Sequence, residues 1–269
     1  MAARVWVVLL LATVLGRGAA AAQQADTAVA SREPLFVASD AWYAAGFVVG
    51  TVALSPIDLT LAEELRDSTR QANHFLRDVA TGFRVMGRPG AFLLASGMFA
   101  VGRVSRHDDL ADVGLHAAES ILLATWTTDA LKSLFGRARP DEDPEDPHDF
   151  AVGRGFRNHR FTSFPSGHTT SAFAAAAAFS SEIERIHPGR SWWVSPLLYG
   201  GATLVGASRM YNNKHWASDV VAGAAIGTFA GWKVTRFNHN NPGNRLDRWL
   251  LRARPAAGPN GTVGLSWTF

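Results

Sequence analysis

Apolar residues along this chain gather in long blocks and hardly ever alternate singly with polar ones. After Asp40 the blocks are "AWYAAGFVVGTVAL" (41–54), "AFLLASGMFAVG" (91–102), "WWVSPLLYGGATLVGAS" (192–208) and "WASDVVAGAAIGTFAGW" (216–232). Residues 59–82 are amphipathic and charged, and a longer helix is predicted from Asp109 to Phe135. From Phe164 to Phe179, "FPSGHTTSAFAAAAAF" sets a polar Pro-Ser-Gly-His head directly on an alanine-rich run. Helical blocks with almost no period-two alternation predict an all-α fold, a bundle of about six core helices. Two stretches break the pattern. Residues 139–160 are rich in Pro, Asp and Arg and are expected to be irregular, and "NHNNPGNR" (238–245) reads as a turn-rich exit. At the far end Val263, Leu265 and Trp267 alternate with smaller or polar residues, enough for one strand but not for a barrel. A loosely docked tail is expected there.

Composition adds boundaries. Of 269 residues, 47% are hydrophobic, and the formal net charge is +3. Residues 1–22 have the form of an export signal: Arg4, then the apolar "VWVVLLLATVLG", then small residues before Gln23. From Lys233 onward six basic residues face one acid, so the basic character lies largely at the ends. The body carries no basic stripe interleaved with aromatics, which argues against nucleic acid as a partner. With no cysteine, neither disulfides nor Cys-ligated metals are available. The expected organisation is a signal peptide at 1–22, a helical domain at 23–236 and a basic C-terminal tail at 237–269.

Three motifs carry candidate chemistry. In Pro-Ser-Gly-His, Ser166 and Gly167 open a helix whose first N–H groups are unpaired and carry partial positive charge, a natural seat for an anion. His168 adds a titratable group beside it. The plain alternative is a serine cap followed by an incidental histidine. In "KSLFGRARP", Lys132 and Arg139 are seven apart, and on a continuous helix they share a face two turns apart. Two cations so placed suit a phosphate, or equally a solvated helix end. In "SRMYNNKHWASD", Arg209 is a further bidentate anion donor. His215 and Asp219 are four apart, so the acid can orient the imidazole and make its other nitrogen more nucleophilic.

Taken together, Lys132-(six)-Arg139-Pro140, then Pro165-Ser166-Gly167-His168, then Ser208-Arg209-(five)-His215-(three)-Asp219, resembles the type 2 phosphatidic acid phosphatase family. That family shares its architecture with class A acid phosphatases and vanadium haloperoxidases. Every signature position is occupied, and the resemblance covers roughly Ala91 to Lys233. It implies that His215 attacks phosphorus and becomes a phosphohistidine, that Asp219 orients it, and that His168 protonates the leaving oxygen and then activates water. Lys132, Arg139, Ser166, Gly167 and Arg209 are implied to hold the phosphate oxygens. No metal and no cofactor is expected.

The implied substrate is a phosphorylated lipid, such as phosphatidate, phosphatidylglycerol phosphate or undecaprenyl diphosphate. A soluble periplasmic acid phosphatase is the close alternative and a vanadium-dependent haloperoxidase a more distant one. The early apolar blocks are short against the roughly 20 residues a span needs, and counting every block as a span leaves the motifs in the cytoplasm. Either one early block does not cross, or the bundle is peripheral. The expectation is an exported envelope protein, associated with the membrane, with its site on the periplasmic face. Arg154, Arg157 and Arg160 are candidates for headgroup contact, Trp192 and Trp193 for a membrane interface.

Overall fold

The computed structural model describes residues 34–241, 244, 249–251, 253–257 and 263–267. The expected export signal lies outside them. Among the described residues nine α-helices run α1 Asp40–Leu54, α2 Asp58–Arg66, α3 Ser68–Ala72, α4 His74–Val85, α5 Ala91–Ser105, α6 Asp108–Phe135, α7 Gly167–Ile186, α8 Ser191–Tyr211 and α9 Ala217–Asn240. The all-α reading is borne out. The C-terminal strand is observed too, as β2 (Val263–Trp267), but it pairs antiparallel with β1 (Ala253–Ala257).

The amphipathic stretch 59–82 is not continuous but is divided among α2, α3 and α4. Asp67 accepts from the N–H groups of Thr69 and Arg70, and Asn73 accepts from that of Leu76. Each short polar side chain thus starts a new helix within the stretch. Nor are Lys132 and Arg139 on one helix. Gly136 takes the left-handed conformation (φ 58°), its N–H bonds Lys132 O, and α6 stops there. Lys132 sits in the last turn, while Arg139 arrives on an irregular segment beyond it.

The core is made mostly of alanine, with Val113, Ile121 and Phe179 among it. Ala95, Ala117, Ala124, Ala174, Ala178 and Ala230 lie buried where α5, α6, α7 and α9 meet. Helices α7 and α9 approach backbone to backbone. A side chain at Gly223, Gly227 or Gly231 would begin 2.5, 2.3 or 2.6 Å from the carbonyl oxygens of Ser166, Thr170 and Ala174. Glycine at every fourth position therefore lets one backbone lie against the other. The large apolar side chains point the other way: Trp42, Val49 and Val52 on α1, Leu93 and Val104 on α5, and Trp192 on α8 are each more than half exposed. Two stretches, Asp40–Arg66 and His74–Ser105, are long and apolar enough to cross a membrane. Only 11% and 22% of their apolar windows are buried, so most of each window faces outward, while Ala91 and Ala95 of α5 join the core.

Candidate active site

One end of the bundle gathers the motifs. There α6 and α8 finish and α7 and α9 begin, and the 136–163 loop covers the junction. The starts of α7 and α9 are joined directly, the N–H of Ser166 donating to Asp219 O at 2.9 Å. Lys132 Nζ donates to the carbonyl oxygens of Thr162 (2.8 Å) and Ser163 (3.3 Å), which precede the Pro-Ser-Gly-His turn. Arg139 Nη2 donates to Thr162 Oγ1 at 3.0 Å. A side chain at Gly167 would meet Lys132 Cε at 3.4 Å, so glycine opens the backbone N–H groups to the cationic side of the site. Ser166 has spent its own N–H, but its hydroxyl accepts from Thr169 Oγ1 and keeps its proton to donate.

His215 lies in the loop before α9, 5% exposed, with Nδ1 3.5 Å from Asp219 Oδ2. That is an ion-pair distance, longer than a hydrogen bond, and Nδ1 has no other partner. The opposite nitrogen, Nε2, is the one free for chemistry. Asp219 is wholly buried and heavily shared: Oδ1 accepts from Arg137 Nη1 at 2.5 Å, and Oδ2 from Ser163 Oγ (2.5 Å) and the N–H of Trp216 (2.9 Å).

The electrostatics follow from burial among cations. Desolvation lowers His215 to about 3, helped by Lys132 and Arg209 and opposed by Asp219. His168 is likewise lowered to about 3, by desolvation and then by Arg209, His215, Arg88 and Lys132. Burial alone would raise Asp219; Arg137, His215 and Ser163 outweigh it and hold the carboxyl at about 2. Desolvation, reinforced by Arg139 and Arg88, takes Lys132 down to about 7. All eight residues singled out by the motifs lie together at this end of the bundle, and the two imidazoles are close enough to influence each other.

Four further residues were missed in the sequence. Arg88 stands between α4 and α5 with extended backbone (φ −145°, ψ 125°), and its Nη1 lies 2.9 Å from where a Gly167 side chain would begin. Its guanidinium is held by Asp129, Nη2 to Oδ2 at 3.2 Å. The signal was "GRPG" (87–90), an arginine framed by helix breakers between two helical blocks. Arg137, Asp58 and Ser163 support Asp219. Arg137 Nη2 reaches Asp58 Oδ2 at 2.8 Å, and Asp58 in turn accepts from the N–H of Ser218 at 2.8 Å. Only Arg137 carried a hint, lying inside the Lys132–Arg139 motif.

Two of the loop arginines, Arg154 and Arg160, have partners within the loop. Arg154 bonds Gly136 O and Asp149 and stacks over Phe161 at 3.8 Å, so it holds the loop closed. Arg160 pairs with Glu142, and Lys214 with Asp141, so two of the acids in the 139–160 loop are neutralised.

Chemically, the arrangement can seat a tetrahedral anion and present an imidazole to it. The buried Nε–H groups of Arg139 and Arg209 have no protein partner and remain available as donors. A helical bundle with two imidazoles and a cationic cradle at a helix N-terminus defines a class built to handle phosphate. Residues 114–242 match the PAP2 superfamily and form a PAP2 superfamily domain, which bears out the family resemblance. The lipid A 1-phosphatase of Porphyromonas gingivalis is 41% identical over 102 residues, 38% of this chain and 18% of that protein. The lipid A 4'-phosphatase of Bacteroides thetaiotaomicron is 36% identical over 104 residues, covering 38% of this chain and 43% of that one. The crystal structure of Aquifex aeolicus LpxE gives a TM-score of 0.48 at 22% identity, over 67% of this chain and 95% of that one. The chain thus spans less than half the length of either curated relative.

Proposed function

We propose that this protein is a lipid phosphatase of the cell envelope, removing a terminal phosphate through a phosphohistidine on His215. The observation that carries the reading is the cradle itself: partnerless buried donors on Arg139 and Arg209 beside the oriented imidazole of His215. His215 Nε2 attacks phosphorus, and the P–O bond to the leaving alcohol breaks. His168 gives that oxygen its proton, then takes one from a water whose oxygen attacks phosphorus and releases His215 and inorganic phosphate. Arg88, Lys132, Arg139, Arg209, the Ser166 hydroxyl and the N–H groups of Gly167 and His168 face the non-bridging oxygens, where charge spreads in the transition state. These fixed cations and dipoles take the part that a metal plays in other phosphatases. His168 is neutral in the free protein at ordinary pH. A phosphate dianion counters the surrounding cations and restores the proton it needs as general acid.

The apolar exterior favours a lipid over a soluble ester. A bundle with an alanine core and outward-facing Trp42, Val49, Leu93 and Val104 is arranged for a hydrocarbon solvent. The names of the curated relatives, lipid A 1-phosphatase and lipid A 4'-phosphatase, support lipid A as a candidate substrate, without distinguishing the 1- from the 4'-position. The site is assigned to the periplasmic face. The test is phosphate release by the full chain in detergent, with a bis-phosphorylated lipid A, phosphatidate and a soluble phosphomonoester as substrates. Faster release from lipid A is expected. Preference for the soluble ester would move the reading to a non-specific acid phosphatase, and no release from any of them would overturn it.

A further inference from the structure

Far from the phosphate cradle, three helices bring together a second set of ligating groups. His116 on α6 and His239 on α9 both point at Glu182 on α7. His116 Nδ1 lies 2.6 Å from Glu182 Oε1, and His239 Nε2 lies 2.7 Å from the same oxygen. All three ligand atoms fall within 4.8 Å of one another. The two rings meet edge to face, 4.9 Å between centroids at 89°. Glu182 and His168 lie on the same helix, roughly 21 Å apart at 1.5 Å per residue, so nothing here touches the proposed phosphatase chemistry.

We infer that His116, Glu182 and His239 form a binding site for a divalent transition metal of the zinc type, which clamps α6, α7 and α9 together at this end. Two imidazole nitrogens and one carboxylate oxygen are a donor set that suits Zn²⁺ or Co²⁺ better than Mg²⁺ or Ca²⁺. Ligands about 2.0–2.2 Å from a tetrahedral zinc stand roughly 3.3 Å apart, so the present 2.6–2.7 Å contacts need to open by only about 0.6 Å. His116 binds through Nδ1 with its proton on Nε2. Glu182 is held from behind, its other oxygen accepting from Arg185 Nε at 3.0 Å, as an outer partner orients a ligating carboxylate. His116 and Glu182 are buried, whereas the His239 side chain is 29% exposed, which leaves a way in and a position for water as fourth ligand. The site is structural: it joins three helices whose mutual packing rests otherwise largely on alanine, with Val113, Ile121 and Phe179.

The experiment loads the chelator-stripped full chain, in detergent, with Zn²⁺ or Co²⁺ alone. Expected are one equivalent of zinc retained after desalting, measured by mass spectrometry of the metal, a raised thermal midpoint, and the visible absorption of four-coordinate Co²⁺. Glu182→Gln and the part-exposed His239→Asn should each lose all three signals, while His215→Ala should keep them. Substoichiometric binding to the unmodified chain overturns the inference whatever the variants do. So does binding that vanishes in His215→Ala but survives in His239→Asn, which would place the metal at the phosphate cradle.

Discussion

Arg137 Nη1 lies 2.5 Å from Asp219 Oδ1, with both side chains buried. The same guanidinium also holds Asp58, so one cation neutralises two carboxylates taken out of water. Replacing Arg137 by Ala leaves both without a counter-ion, and a broken buried pair of this kind costs about 3–5 kcal/mol. The expected outcome for Arg137→Ala is a large fall in thermal midpoint in detergent. Arg137→Lys should recover part of the stability and less of the turnover, because a single ammonium cannot reach both acids in a fixed fork.

His215→Ala should abolish turnover while vanadate or phosphate still binds, because the cradle is built from other residues. Loss of a nucleophile that works as part of a unit typically removes several orders of magnitude in kcat. Turnover and vanadate titration on the same preparation check this, and near-native hydrolysis by the variant would refute the nucleophile assignment.

Arg88→Ala should lower kcat/KM with a normal fold, since Arg88 is half-buried and its loss leaves only Asp129, itself exposed, without a partner. A hydrogen bond to a charged group is worth about 1.5–3 kcal/mol, or roughly 10- to 100-fold. Arg88→Lys should fall between the two. Equal activity of all three proteins would remove Arg88 from the cradle.

Acid should destabilise the protein partly through His215. Its pKa is about 3 in the folded chain against 6.5 as its ordinary value, so below pH 6.5 the unfolded chain binds a proton that the folded one refuses. Stability from this group is complete above pH 6.5 and is lost as pH falls toward 3, by about 1.4 kcal/mol per pH unit. Thermal midpoints between pH 7 and 5 should fall less steeply for His215→Gln than for the parent. Parallel slopes would contradict a buried neutral imidazole.

Exhaustive chelation should leave hydrolysis intact at temperatures where the chain stays folded, since in the proposed mechanism side chains and helix N–H groups stabilise the transferring phosphoryl group. A strict requirement for added Mg²⁺ or Zn²⁺ in the initial rate would count against the proposed mechanism.

Much of the site was legible because its residues are spaced by regular helices and marked by breakers. Lys132 precedes a glycine stop, His168 follows the Pro165-Ser166 entry to α7, and Asp219 begins α9, so local chain geometry alone puts each functional group at a helix end. The long apolar blocks likewise announced helices, because burial of a continuous backbone in apolar surroundings demands that its hydrogen bonds be closed locally. The breaks at Asp67 and Asn73 were less visible, since a capping carboxylate or amide looks like any other polar residue of an amphipathic face.

What the sequence determined by itself was the helical class and the three motifs that the fold gathers at one end of the bundle. Only the tertiary structure decided that Arg88 and Asp58, far along the chain from the three motifs, belong to the same site. It also decided that Arg137 anchors Asp219, that Arg154 serves the loop, and that His116, Glu182 and His239 meet at the opposite end. The physical reason is that periodicity and caps report on interactions within a few residues. Contacts between distant segments depend on which small residues, such as Gly223 and Gly227, let particular helices come close, and no local pattern encodes the partner.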